Sequence, residues 1–360
     1  MDRVSASKGE IMTTVLSTAH TAASTRRKIA LMYGALALIN LFAWLWAWTV
    51  LRSSPALIGT AFLAYSFGLR HAMDADHIAA IDNVTRKLVN DGKRPICVGF
   101  FFALGHSLMV VVGAAAVALA TNAIAHHFEA FRPTGAAIGT LVSAAFLLTI
   151  GIVNVVLLTD IFRAFTRMRN GDRQHGDDLR LTQVDGNLLA RVFKPLFHMI
   201  RSSWLMFPLG ILFGLGFETA TEVALLGTSS VQASAGFSLG TILAFPALFA
   251  AAMLTIDTTD GILMLGAYGW AFVKPLRKLY YNLTITLIST VVALLIGGIE
   301  ALGLASQTLN LSGPFWDLIN IVNDNFGMLG YAIVAICIVG WLASALLYKL
   351  KGYDRDVVSA

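Results

Sequence analysis

Residues 70 to 77 read Arg-His-Ala-Met-Asp-Ala-Asp-His, inside a stretch otherwise apolar enough for lipid. Two imidazoles, two carboxylates and a guanidinium stand within eight residues, and at a bilayer centre each charged form costs about 2.5–3.5 kcal/mol or more. Such a cost points to something bound that offsets it. Neutral imidazole beside carboxylate is a ligand set suited to a borderline transition-metal cation.

Three further polar groups interrupt apolar sequence. In a regular helix, steps of about 100° per residue place His71, Asp74 and His77 within an arc of about 120°. Asp76 then faces another neighbour, unless the helix unwinds locally. Leu104-Gly105-His106-Ser107 adds a third imidazole, and Gly105 permits close helix approach. Residues 215–222 carry Glu218 and Glu222, four apart on one face with Thr221 alongside, and Asp257-Thr258-Thr259-Asp260 carries two aspartates three apart. Paired carboxylates in low dielectric do not readily both ionise without a cation. They mark a cation site, a proton carrier, or protonated acids that brace a bundle. The candidate metal ligands are therefore His71, Asp74, Asp76, His77, His106, Glu218, Glu222, Asp257 and Asp260. The structural alternative is a buried ion-pair knot of Arg70 with the aspartates that only fixes packing.

The elements that must position these groups follow from composition. Of 360 residues, 57% are hydrophobic and only 13% charged, with a mean hydropathy of +0.72. A globular surface of this size would need far more polar material. The apolar residues fall into eight blocks, 29–51, 56–81, 95–121, 134–162, 204–230, 241–268, 279–302 and 328–350, each long enough to cross a hydrocarbon core about 30 Å thick. Backbone groups in lipid must pair within their own segment, so each block is expected to be a helix. The expected fold is an all-α, polytopic membrane protein with eight transmembrane helices. Its parts are a polar N-terminal segment (1–28), helices 1–4 (29–162), a loop (163–203) read as mobile, helices 5–8 (204–350) and a tail (351–360).

The first block runs on for 23 residues behind Arg26-Arg27-Lys28, longer than the core of a cleaved signal peptide, so the first helix is expected to stay. Of the 26 Lys and Arg, 23 lie in the N-terminus, the even-numbered connections and the C-terminus; Arg52 and Arg132 lie on the other side and Arg70 within a block. Positive residues stay cytoplasmic, which puts both termini inside. The net charge of +5 and pI near 9.3 thus reflect topology, and no nucleic-acid partner is called for. Cys97 and Cys337 sit in different blocks and give no disulfide framework or thiolate site.

Phe67-Gly68-Leu69 opens the second-block motif and Phe213-Gly214-Leu215 the fifth. Aligned on that triplet, Asp76 falls on Glu222. The two blocks are three spans apart and run in opposite directions, the pattern of an inverted repeat relating helices 2–3 to helices 5–6, with a site at the midplane.

Residues 70–78 resemble the second-helix signature of the nickel/cobalt transporter family, a His, four residues, then Asp-His. Residues 104–107, 215–222 and 257–260 resemble its three further signatures, in order. The resemblance implies eight spans, cytoplasmic termini, a long fourth connection and a bacterial inner-membrane location. It implies a secondary permease that takes up Ni²⁺ or Co²⁺ as substrate, with no resident cofactor. His71, Asp76 and His77 would be essential, with His106 and the acidic motifs supporting. Glu218 stands where the family often has Asp, so the carboxylate reaches about one methylene further. Two other classes remain open on the residues alone. An integral-membrane metalloenzyme would need several His-rich boxes or His-Glu-x-x-His, and a proton or sodium carrier would use the carboxylates without nickel. No Gly-x-x-x-x-Gly-Lys motif occurs, so the chain has no nucleotide site of that kind.

Overall fold

The computed structural model describes residues 2–119, 122–169, 201–215, 220–271, 275–325, 328–333, 335–336 and 339. Among the described residues the protein is all-helical, with no strand. The helices are α1 (Asp2–Leu51), α2 (Pro55–His71), α3 (Ala75–Asn90), α4 (Val98–Leu119), α5 (Asn122–Arg169), α6 (Met206–Phe213), α7 (Ala220–Ser234), α8 (Leu239–Ala271), α9 (Pro275–Leu309) and α10 (Pro314–Asp324). A short 3₁₀ turn, Ser203–Leu205, leads into α6.

Among the described residues, five stretches are long and apolar enough to cross a membrane: Ser24–Leu51, Val98–Leu119, Thr134–Val156, Leu239–Ala267 and Thr286–Leu309. They match the first, third, fourth, sixth and seventh apolar blocks. Large apolar side chains such as Leu31, Phe42 and Leu263 stand exposed on them, as lipid-facing positions do.

The second block departs from the expectation of one continuous helix. It breaks at residues 72–74, so α2 ends at His71 and α3 starts at Ala75. Asp74 takes the N-cap position in extended conformation (φ −67°, ψ 147°), a place where Asp is strongly favoured. Its carboxylate makes no cap bond, because it serves a histidine instead. The fifth block is interrupted as well. Helix α6 stops at Phe213, Gly214 and Leu215 turn, and α7 is helical from Ala220. Of the eighth block, residues 328–333, 335–336 and 339 are described and helical. The expected loop 163–203 is helical as far as Arg169, and residues 170–200 lie outside the described residues. The expected connection at residues 122–133 is helical and continuous with the fourth span.

Helix α8 is the hub, in contact with α1, α2, α3, α4 and α7, while α5 packs along α9. Helix α3 joins the two groups, since it also touches α9, α5 and α4. Its burial is unusual for a helix carrying Asp82, Asn83, Arg86 and Lys87, all of which are buried. Asp82, Asn83 and Arg86 find partners inside the bundle, as buried polar groups must, while Lys87 pairs with Asp91 at the end of α3. Ser289 Oγ donates to Asp82 at 2.6 Å, Arg86 reaches Thr286 at 3.2 Å, and Asn154 Nδ2 donates to Asn83 Oδ1 at 2.8 Å.

The crossings depend on glycine. A methyl group on Gly68 of α2 would overlap the Phe249 carbonyl of α8, and one on Gly99 of α4 would overlap the Asp257 carbonyl of α8. Gly105 of α4 and Gly210 of α6 sit likewise against the Phe207 and Phe102 carbonyls. Small residues let helix backbones approach in a membrane, where packing rather than water expulsion drives association. The close crossings are thus α2 on α8, α6 on α4, and α4 on α8.

Candidate functional site

Seven of the nine candidate ligands lie at a helix end or a close crossing. His71 is the last residue of α2, Asp74 caps α3, and Asp76 and His77 lie in its first turn. His106 is in mid α4, Glu222 in the first turn of α7, and Asp257 in mid α8. The break at residues 72–74 replaces the single-helix arc: His71 and His77 reach one another from two helices. Their rings are 4.7 Å apart between centroids, and His106 is 4.8 Å from each. All three histidines are buried, and each offers a nitrogen within 4.8 Å of the others.

The carboxylates fix which nitrogen each ring presents. Asp74 Oδ2 lies 3.0 Å from His71 Nδ1, and Asp257 Oδ2 lies 3.2 Å from His77 Nδ1. An ionised carboxylate only accepts, so both Nδ1 atoms donate and both Nε2 atoms keep a lone pair. This is the carboxylate–histidine arrangement that orients imidazole toward a metal. His77 Nε2 has no hydrogen-bond partner among the described residues. An unpartnered nitrogen on a fully buried ring costs free energy unless something fills its place.

His106 completes the set. Its Nε2 is 2.9 Å from both His71 Nε2 and Glu222 Oε1, and those two atoms are 3.8 Å apart. One N–H on His106 Nε2 can serve both acceptors. Replace that proton by a cation and the same three atoms face it. A point about 1.9 Å from all three exists within their triangle, against metal–imidazole bonds of about 2.0–2.1 Å for zinc. A small out-of-plane shift makes the fit without moving a side chain. The donor set of imidazole and carboxylate suits Ni²⁺, Co²⁺ or Zn²⁺ better than Mg²⁺ or Ca²⁺, which take all-oxygen shells.

Aromatic rings wall the site. Phe102 meets His77 edge-on at 4.8 Å, and Phe249 lies 5.4 Å from His71. Neither stood out in the sequence, because Phe is common in apolar blocks. Around the cluster, Ser107 Oγ, Thr258 Oγ1 and Asp257 Oδ1 are buried without partners among the described residues.

The structure therefore gathers His71, Asp74, His77, His106, Glu222 and Asp257. Asp76 is half-buried beside them and within electrostatic range of His77 and His71, but it is not one of the carboxylates hydrogen-bonded to a ring. Asp260 lies within electrostatic range of Asp82 and Asp257, has one oxygen unpartnered among the described residues, and is not one of the carboxylates hydrogen-bonded to a ring. Glu218 lies outside the described residues. Arg70 is exposed and makes no ion pair with Asp74 or Asp76 among the described residues, so the packing-knot alternative lacks its cation.

Comparison with known proteins gives the family. Residues 57–347 match the family profile NicO, described as "High-affinity nickel-transport protein". A "High-affinity nickel transport protein" of Cupriavidus necator is 51% identical over 335 residues, 93% of this chain and 95% of that relative. "Nickel transporter NicT" of Mycobacterium tuberculosis is 44% identical over 341 residues, 89% of this chain and 88% of the relative. "Cobalt transport protein NhlF" of Rhodococcus rhodochrous is 37% identical over 335 residues, 91% and 94% of the two chains. No solved structure matches. With the profile covering most of its length and transport proteins of both metals aligned nearly end to end, the chain belongs to the NicO family of nickel-transport proteins.

Proposed function

We propose that this chain is a secondary permease that takes up Ni²⁺ or Co²⁺ across a bacterial cytoplasmic membrane through the His71–His77–His106 site. The observation that carries the reading is the convergence of three buried imidazoles, two of them aimed by a carboxylate on Nδ1. Glu222 supplies charge to the same point, and Asp76 stands at its less buried side. Asp257 and Asp260 belong to the reading as acidic support, with Glu218 joining them on its family signature. A hydrated divalent ion exchanges water for imidazole and carboxylate as it arrives, which offsets dehydration of both partners. Cu²⁺ and Zn²⁺ bind such ligands at least as tightly as Co²⁺, so selection rests on geometry and supply.

The finer architecture belongs to the same proposal: eight spans, both termini in the cytoplasm, and the five-part division given by the sequence. An inverted repeat fits the reciprocal crossings, α2 on α8 and α6 on α4, and the interruption of both motif blocks, at residues 72–74 and from Gly214. Interrupted helices at mid-membrane are how many transporters build ion sites. The test is uptake of radioactive nickel and cobalt by purified protein in lipid vesicles. Accumulation lost in His71→Ala and His77→Ala supports the reading. Proton or sodium flux that is indifferent to nickel, in a protein that does not accumulate the metal, overturns it.

A further inference from the structure

The break at residues 72–74 carries His71 on one side, Asp74 within it and His77 on the other. Its shape therefore sets the spacing of two ligands and one of their holders. The helix at residues 328–333, from the last apolar block, lies directly against it. A methyl group on Gly330 would overlap the Met73 carbonyl oxygen and come within 2.8 Å of the Met73 carbonyl carbon and 3.3 Å of the Ala75 nitrogen. These are backbone atoms with no flexible end to swing aside. On either side of Gly330, Leu329 and Ile333 pack into a cluster with Ala75, Ile78, Ala79, Leu147 and Ile296. Those neighbours belong to α3, α5 and α9, so the helix is anchored to three others while its bare Gly330 backbone rests on the break.

We infer that Gly330 is a positioning residue for the ion site: the last apolar block clamps the α2–α3 break, and the absence of a side chain at 330 lets His71, Asp74 and His77 converge. The three atoms nearest a side chain at Gly330 are backbone atoms of Met73 and Ala75, so Gly330 acts through the backbone of the break. Any larger residue displaces that backbone, and the His71 and His77 rings separate or turn. This inference rests on the proposed site for its meaning, but the clamp itself is a property of the metal-free protein.

The test compares Gly330→Ala with Gly298→Ala, a control in α9 where a methyl group meets nothing within 4 Å. Two readouts are taken on purified full-length protein. Hydrogen exchange of peptides spanning residues 70–78, without metal, reports the break. The visible absorption of bound Co²⁺, with Co²⁺ and Ni²⁺ affinities, reports coordination geometry, which a general loss of stability does not shift. The expected result is faster exchange at the break, an altered cobalt spectrum and about 10–100-fold weaker binding in Gly330→Ala, the range for loss of outer-shell support, with Gly298→Ala unchanged. Ile333→Ala covers the case in which Gly330→Ala does not fold, since it loosens the anchor without intruding on the break. It should give faster exchange and weaker metal binding in the same direction. Wild-type exchange, spectrum and affinity in whichever of the two variants folds overturn the inference. If the wild type itself binds neither metal, the proposed function fails while the exchange result still decides the clamp.

Discussion

His71 and His106 face each other Nε2 to Nε2 at 2.9 Å, with Glu222 Oε1 at 2.9 Å from the second and 3.8 Å from the first. Two imidazole nitrogens at that distance share one proton, and the carboxylate beside them competes for it. One positive centre placed between them would satisfy all three atoms at once, as the proposed site requires.

Among the described residues, Glu222 places a carboxylate oxygen within hydrogen-bond distance of His106 Nε2. Glu222→Gln keeps the shape and an acceptor oxygen for His106 Nε2 but removes the charge that an arriving cation would meet. Ni²⁺ affinity, followed by isothermal titration of purified protein, should fall about 10–100-fold, comparable to loss of a supporting carboxylate. An unchanged affinity would remove Glu222 from the site.

Asp257 determines which nitrogen His77 exposes. In Asp257→Asn the amide can donate to Nδ1, and the ring then carries its proton on Nε2, the atom meant for the ion. Binding should drop by about 10–100-fold although the side chain hardly changes in size. The histidine nitrogen resonances should report the tautomer switch directly. Wild-type tautomer and affinity together would show that the Asp257 contact is only structural.

Acid should weaken binding. Protonated imidazole has no lone pair, so metal binding releases protons and affinity falls as pH falls. With three imidazoles at one point, Ni²⁺ binding should decline continuously between about pH 8 and about pH 5. Equilibrium binding is the measurement to use, since uptake would mix in any proton coupling. A flat profile would mean that oxygen ligands alone hold the ion.

The α4–α8 crossing leaves no room at Gly99. Gly99→Ala should destabilise the protein by about 1–3 kcal/mol, as overpacking does, seen as a lower unfolding midpoint in detergent. Gly34→Ala, where a methyl meets nothing within 4 Å, should leave the midpoint unchanged or slightly raised. Equal midpoints for the two variants would contradict the close crossing.

The ligand types were readable from residues alone because imidazole and carboxylate stand out in apolar sequence. His71, His77, His106 and Glu222 do converge. The division of labour was not readable. Asp74 and Asp257 hold rings by their Nδ1 atoms, and the second contact depends on α3 lying against α8, beside the close crossings of α2 and α4 on α8 at Gly68 and Gly99. Helix periodicity assigned Asp74 to the same face as both histidines, yet the chain breaks between them. Ala72 and Met73 are apolar, so hydropathy runs through the break without a signal; only local unwinding, one of two options the pattern left open, accounts for it. Met73 and Gly330 meet across more than 250 residues of sequence, and a glycine in an apolar helix gives no hint of such a contact.

Because the side chains of the proposed site come from α2, α3, α4, α7 and α8, spanning positions 71 to 257, no growing chain on the ribosome has them all until its sixth apolar block has been made. Half-made copies would therefore pass through the insertion machinery unable to capture nickel, and the trap would close only as synthesis nears its end. A cell could then make this protein in metal-rich surroundings without arming it early.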